Sequence, residues 1–136
     1  MNNDYDISEN LKTKFAEDPF PKHLGIKIME LQPGYAKLSI QVQPHMANIL
    51  GITHGGIVFT LADAALGVAS NARGVFSVAI NVNISYIKSS KSGDVLIAVA
   101  EELHSGRRTA NYKVTIEDEQ GKLIALAQGL VFQEQN

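Results

Sequence analysis

Apolar residues alternate with polar ones in six stretches of this chain, and in one place they run together almost without a break. At the start, Asp6 to Phe15 sets Ile7, Leu11 and Phe15 at four-residue spacing, which predicts a short amphipathic helix ended by Pro19 and Pro21 and packed on the body as a lid or brace. His23 to Leu31 and Tyr35 to Val42 then alternate around Gln32-Pro33-Gly34, the pattern of two strands joined by a tight turn. Pro44 to Ile52 carries neither period and reads as an irregular connection. Next comes GGIVFTLADAALGVASNA, residues 55–72, which predicts a long helix begun by Gly55 and Gly56 and stopped by Gly74. The remaining runs, Phe76 to Ile87, Val95 to Leu103, Thr109 to Glu117 and Leu123 to Phe132, are rich in β-formers and separated by the short turns Ser92-Gly93-Asp94, Ser105-Gly106 and Gln120-Gly121.

Short turns make the strands largely antiparallel, and a helix apolar on most faces must be enclosed. About six strands and one such helix therefore predict an α+β arrangement, a strongly curved antiparallel sheet wrapped around the helix. At least one sheet edge and the second face then need cover, which dimerisation through an edge strand supplies.

The 136 residues fit one domain, 1–136, with residues 1–19 as an N-terminal helical segment. Twelve basic and fourteen acidic residues are spread along the chain, so no tract points to a nucleic-acid partner. Cysteine is absent, which removes disulfides, thiolate metal sites and a Cys nucleophile. His23, His45 and His104 have no ligand spacing, so no metal is expected. MNNDYDISEN lacks the basic start and apolar run of a secretory signal, which makes the cytoplasm the default location. The apolar run is about long enough to span a bilayer. Its Asp63 and the strand-like sequence after it favour a buried helix instead, with no membrane insertion.

Asp63 is the one charged side chain between His54 and Arg73. An unpaired carboxylate among apolar residues is usually partnered, neutralised by a raised pKa, or retained for chemistry. It follows His54-Gly55-Gly56 by nine positions, and Asn48 precedes His54 by six. With Leu61-Ala62-Asp63 on the helix, the strand signature Asn81-Val82-Asn83-Ile84-Ser85-Tyr86 and the turn Ser92-Gly93-Asp94, the chain from about residue 20 to 133 resembles the hotdog-fold acyl-CoA thioesterases of the phenylacetate-pathway type. The resemblance implies hydrolysis of a CoA thioester to a free acid and CoA, without a metal or redox cofactor, by a homodimer or a dimer of dimers.

Thioester hydrolysis needs a donor for the developing oxyanion and a group that activates water or attacks the carbonyl. A helix N-terminus offers free N–H groups, and glycine permits close approach, so Gly55 N–H is the expected donor, with Gly56 expected to contact the substrate. Asp63 is the expected general base or nucleophile. Eight residues of helix separate the two by about 12 Å, so one thioester carbon cannot meet both on one helix. Two antiparallel helices of a symmetric dimer solve this, and the resemblance implies the same arrangement. His54 is expected to orient the loop and the donor, and Asn48 to orient the thioester carbonyl or water or to cap a turn. Each also has a structural alternative: the glycines as a tight turn, Asp63 as a carboxylate bonded to Asn48, Ser77 or backbone.

For the coenzyme A half, Arg73, Lys88, Lys91, Arg107 and Arg108 are candidate phosphate ligands. Ser89 and Ser90 stand where many resembling enzymes have Pro and a small residue, and Ala79 where some place a hydroxyl that holds water. Ser77 or Asn81 are possible substitutes, because alternation puts 77, 79 and 81 on one face. Ile52, Val58, Phe59, Leu61 and Leu66 fit either an acyl pocket or the core. Two other functions are open to the same fold: a non-catalytic acyl-CoA or acyl-ligand binding module, against which the presence of both Gly55 and Asp63 argues, and a hotdog hydratase or dehydratase, which resembles this chain less. The acyl group itself is not legible.

Overall fold

A computed structural model describes residues 4–134. Residues 1–3 and 135–136 of the predicted domain, and the side chain of Ile7, lie outside the described residues. The elements run α1 (Asp4–Ala16), α2 (Pro19–His23), β1 (Lys27–Gln32), β2 (Tyr35–Gln41), a 3₁₀ turn (Pro44–Met46), α3 (Gly55–Asn71), β3 (Ser77–Tyr86), β4 (Val95–Ser105), β5 (Thr109–Asp118) and β6 (Leu123–Gln133). The six strands form one antiparallel sheet in the order β1-β2-β4-β5-β6-β3, with α3 against its concave face. This is the predicted α+β hotdog arrangement. The first strand is shorter than expected, because Pro19 and Pro21 fix backbone angles suited to a helix start and residues 19–23 form α2.

The inner face of the sheet is built largely from small residues. Ala36, Ala98, Ala100, Ala110, Ala125 and Ala127 are all buried there, and Leu61, Leu66, Ala62, Ala65 and Ala69 of α3 fill the trough they leave. Among the glycines Gly129 has the least room: a Cβ on it would lie 2.5 Å from Cδ2 of Leu66, which is itself 1% exposed. Gly129→Ala is therefore expected to lower the unfolding free energy by about 1–3 kcal/mol, the usual cost of overpacking. Denaturant titration checks this, and an unchanged midpoint would show that Leu66 has room to move.

Enclosure of α3 is one-sided, contrary to expectation. Gly56 and Asp63 are exposed and Ile57, Phe59, Thr60, Ala64 and Gly67 only half-buried, because the sheet curls around the opposite face. β3 forms one end of the sheet and is exposed along most of its length. Its pairing with β6 shifts register between Ala79 and Asn81. This bulge at Ile80 overturns the expected common face of 77, 79 and 81. Ser77 and Ala79 pair with the buried Gln133 and Val131 on the inner side, whereas Asn81 pairs with Leu130, its Oδ1 accepting from Asn83 Nδ2 at 2.8 Å.

Among the described residues no helix is long and apolar enough to cross a membrane, and no three His, Asp or Glu side chains are grouped to hold a metal.

Candidate active site

The start of α3 is fixed by the loop before it. Asn48 Oδ1 accepts from the N–H groups of Leu50 (2.9 Å) and Ile52 (3.3 Å), closing a turn that Gly51 completes at φ 84°. His54 N–H donates to Met46 O and Thr53 N–H to Ser90 O, each at 2.8 Å. The buried Ser90 hydroxyl donates to Thr53 Oγ1 at 2.7 Å, tying the 88–91 loop to the helix entrance. Ser90 lines the same cavity as Gly55, with the proton of its hydroxyl engaged by Thr53.

His54 is the N-cap of α3, its Nδ1 accepting from Gly56 N–H at 2.9 Å. That contact places the ring proton on Nε2 and occupies the Gly56 donor. No acceptor among the described residues meets Gly55 N–H, which stays available at the positive end of the helix. Tyr86, the last residue of β3, donates from its hydroxyl to Gly55 O at 3.1 Å, and a Cβ at 55 would press on its ring at 3.3 Å. Glycine here is a matter of close approach. Tyr86 entered the sequence reading only as the end of a motif; its position closing a strand beside a glycine-initiated helix is the signal for it. Tyr86→Phe is expected to loosen the helix start by roughly 0.5–1.5 kcal/mol and to lower kcat less than about tenfold. Steady-state kinetics checks this, and a hundredfold loss would place the hydroxyl in the chemistry itself.

Asn48, Gly55, Tyr86, Lys88 and Ser89 line one cavity of about 240 Å³. Asp63 lines a different one, of about 410 Å³, together with Phe59, Thr60, Ala64, Gly67 and Val68 of α3 and residues of the N-terminal segment and the first hairpin. The expected pair of donor and carboxylate is therefore split between two cavities, in line with about 12 Å of intervening helix. Among the described residues Asp63 has no hydrogen-bond or ion-pair partner. Neither predicted structural partner serves: Ser77 donates to Val75 O, and the Asn48 oxygen holds its own turn. The apolar surroundings push the Asp63 carboxyl above its ordinary value by desolvation, although one side of it meets solvent.

The predicted cationic cluster does not assemble on one chain. Lys88, Ser89 and Lys91 stand at the Tyr86 end of β3, with Lys91 N–H donating to Asp94 Oδ2 at 2.9 Å. Arg107 and Arg108 are exposed at the other end, where Arg108 O accepts from Gln133 N–H, and ten strand residues span about 33 Å. Arg73, at the same far end, is paired with Glu102 at 2.6 Å. Of the apolar candidates, Leu61 and Leu66 belong to the core, Ile52 and Val58 line the Gly55 cavity, and Phe59 lines the Asp63 cavity.

The family model described as the thioesterase superfamily matches residues 50–125. The acyl-coenzyme A thioesterase PaaI of Escherichia coli K12 is 34% identical over 121 residues, covering 89% of this chain and 86% of that protein. A solved structure of the E. coli PaaI protein from the phenylacetic acid degradation operon superposes with a TM-score of 0.93 at 30% identity, covering 99% of this chain and 98% of its own. A hypothetical thioesterase protein of Streptococcus pneumoniae TIGR4, solved with coenzyme A, gives a TM-score of 0.83 at 28% identity, with 90% and 95% coverage.

Proposed function

The chain belongs to the thioesterase superfamily, and on that premise we propose that it hydrolyses acyl-CoA thioesters in a dimer whose sites each join Gly55 N–H of one copy to Asp63 of the other. The observation that carries this reading is the open donor at Gly55 and the unpartnered carboxylate at Asp63, on one helix yet too far apart to share a carbonyl. By either route the C–S bond breaks, water supplies the oxygen and the protons, and CoA leaves as a thiol with the free acid as the second product. Gly55 N–H stabilises the oxyanion. Asp63 either takes the proton from water and returns it to the leaving sulfur, or attacks first to give an anhydride that water opens. Label in the Asp63 carboxylate after a single turnover in ¹⁸O-water identifies an anhydride opened at the Asp63 carbonyl, since the general-base route puts the label only in the free acid. Neither route calls for a metal or redox cofactor.

The exposed strand β3 supports the dimer. Val78, Ile80, Tyr86 and Ile87 lie open along or beside it, and Phe76 (64% exposed) directly precedes it. A second copy paired antiparallel along β3 covers these side chains. It also brings Arg107 and Arg108 of one copy toward Lys88 and Lys91 of the other, reuniting a phosphate-binding cluster for coenzyme A. Arg73, paired with Glu102, has no direct part in this reading.

Release of free thiol from a panel of acyl-CoA esters, with sedimentation of the same sample, tests the proposal. Thiol release by a dimer is expected. Binding without release would favour the non-catalytic module, loss of water from 3-hydroxyacyl thioesters the dehydratase, and full activity in a monomer would remove the shared site.

A further inference from the structure

The 410 Å³ cavity beside Asp63 has a lining that the thioesterase reading does not by itself explain. Three aromatic rings face it, from Phe59 of α3, Phe15 of α1 and Phe20 of α2, with Pro21, Ile26, Ile28 and Val68 completing most of the wall. Of its polar residues, Thr60 already donates from its hydroxyl to Gly56 O at 2.7 Å, and the other two are the carboxylates Asp63 and Asp18. The wall therefore offers hydrocarbon and negative charge, and no cation. Phe20 is 60% exposed although it is a large aromatic side chain held on a five-residue helix between two prolines. On α3, Gly67 opens the floor: a Cβ there would meet nothing within 4 Å.

Resting on the thioesterase reading, we propose that this cavity receives the acyl group of the substrate, that the group is bulky and apolar, and that Phe20 with Phe15 determines acyl specificity. The size lies within the range of small-molecule sites and far exceeds what an acetyl group fills. Asp63 sits in the wall, so an acyl group lodged here has its carbonyl end beside the carboxylate that acts on it. The CoA arm leaves toward the Gly55 cavity, which on this geometry belongs to the other copy. An acyl group ending in a second carboxylate meets Asp18 and Asp63 and is repelled. The N-terminal segment, read from sequence as a brace, thereby becomes the outer wall of the acyl site.

The parent is expected to favour octanoyl-CoA over acetyl-CoA in kcat/KM by about tenfold or more, the scale on which apolar pockets discriminate. Gly67→Leu places a side chain in the open floor on a residue that forms helix better than glycine, and is expected to reduce the octanoyl-to-acetyl ratio by about tenfold. Phe20→Ala removes part of the outer wall and is expected to reduce the same ratio by about threefold to tenfold. Thermal unfolding and inhibition by free CoA show for each variant that the fold and the CoA half persist. An unchanged ratio in folded, active Gly67→Leu overturns the acyl assignment and leaves the thioesterase reading standing. Absence of thiol release from both esters by the parent overturns that reading and this inference with it.

Discussion

Asp63→Asn is expected to fold as the parent does and to release thiol from acyl-CoA about a hundredfold or more slowly, the usual contribution of a positioned acid or base. The substitution keeps the shape and removes only the charge, and the carboxylate has no partner among the described residues that would be stranded. The pH dependence supports the same assignment. Partial desolvation by the apolar groups around it raises the Asp63 pKa, so the base form is lost as pH falls through a value above the ordinary carboxylate range, and the acid limb of kcat/KM is expected there. Stability carries the opposite sign. A folded-state pKa above the unfolded one means that the native state binds the extra proton, so stability falls as pH rises through that window. At neutral pH Asp63→Asn should melt at or above the parent, and the difference should close in acid. Turnover within a few-fold of the parent would remove Asp63 from the mechanism; a sharply lowered melting temperature would make the carboxylate structural.

Mixing two inactive variants is expected to restore activity. Gly55→Pro deletes the donor N–H at the first helical position, where proline is well tolerated, and His54 already holds the extended backbone (φ −62°, ψ 135°) that a following proline requires. The added ring must displace Tyr86 by a few tenths of an ångström, so folding is checked first. A heterodimer of Gly55→Pro and Asp63→Asn holds one intact site and one doubly altered site. About half the parental rate per heterodimer follows from symmetry, or about a quarter for a randomly reassorted equimolar mixture. Heterodimers that form and stay inactive would falsify the shared site, and the donor acting with Asp63 would then lie in its own subunit.

Strand alternation made most of the sheet legible, since each inner-face residue announces the next two positions on. The first strand was drawn too long because His23, Leu24 and Ile26 continue an alternating pattern that local proline geometry overrides. The bulge at Ile80 left no mark, as an extra residue in an otherwise apolar strand needs no unusual side chain. Gly55, Asp63 and the loop-holding roles of His54 and Asn48 could be singled out from spacing on one segment. Cations that lie close in sequence to one motif or another were less tractable. Lys88 and Arg108 sit at opposite ends of a strand, Arg73 is neutralised by Glu102 from β4, and none of these partnerships is local. Phe15 is legible in sequence only as part of the spacing of the first helix and Phe20 carries no signal there; the folded chain brings both into one cavity with Asp63.

The irregularity at Ile80 has one more consequence for assembly. A straight, unbroken edge strand lets an incoming copy slide along it in steps of two residues, each a shift of about 6.6 Å. Such a step would carry the carboxylate of one copy clean past the donor of the other, leaving a dimer intact by every physical measure and catalytically silent. In the proposed dimer the register shift at Ile80 would interrupt that repeat and act as a stop, favouring one alignment over its slipped neighbours. Restoring regularity by deleting Ile80 would then threaten the vernier of the site before it threatened the fold.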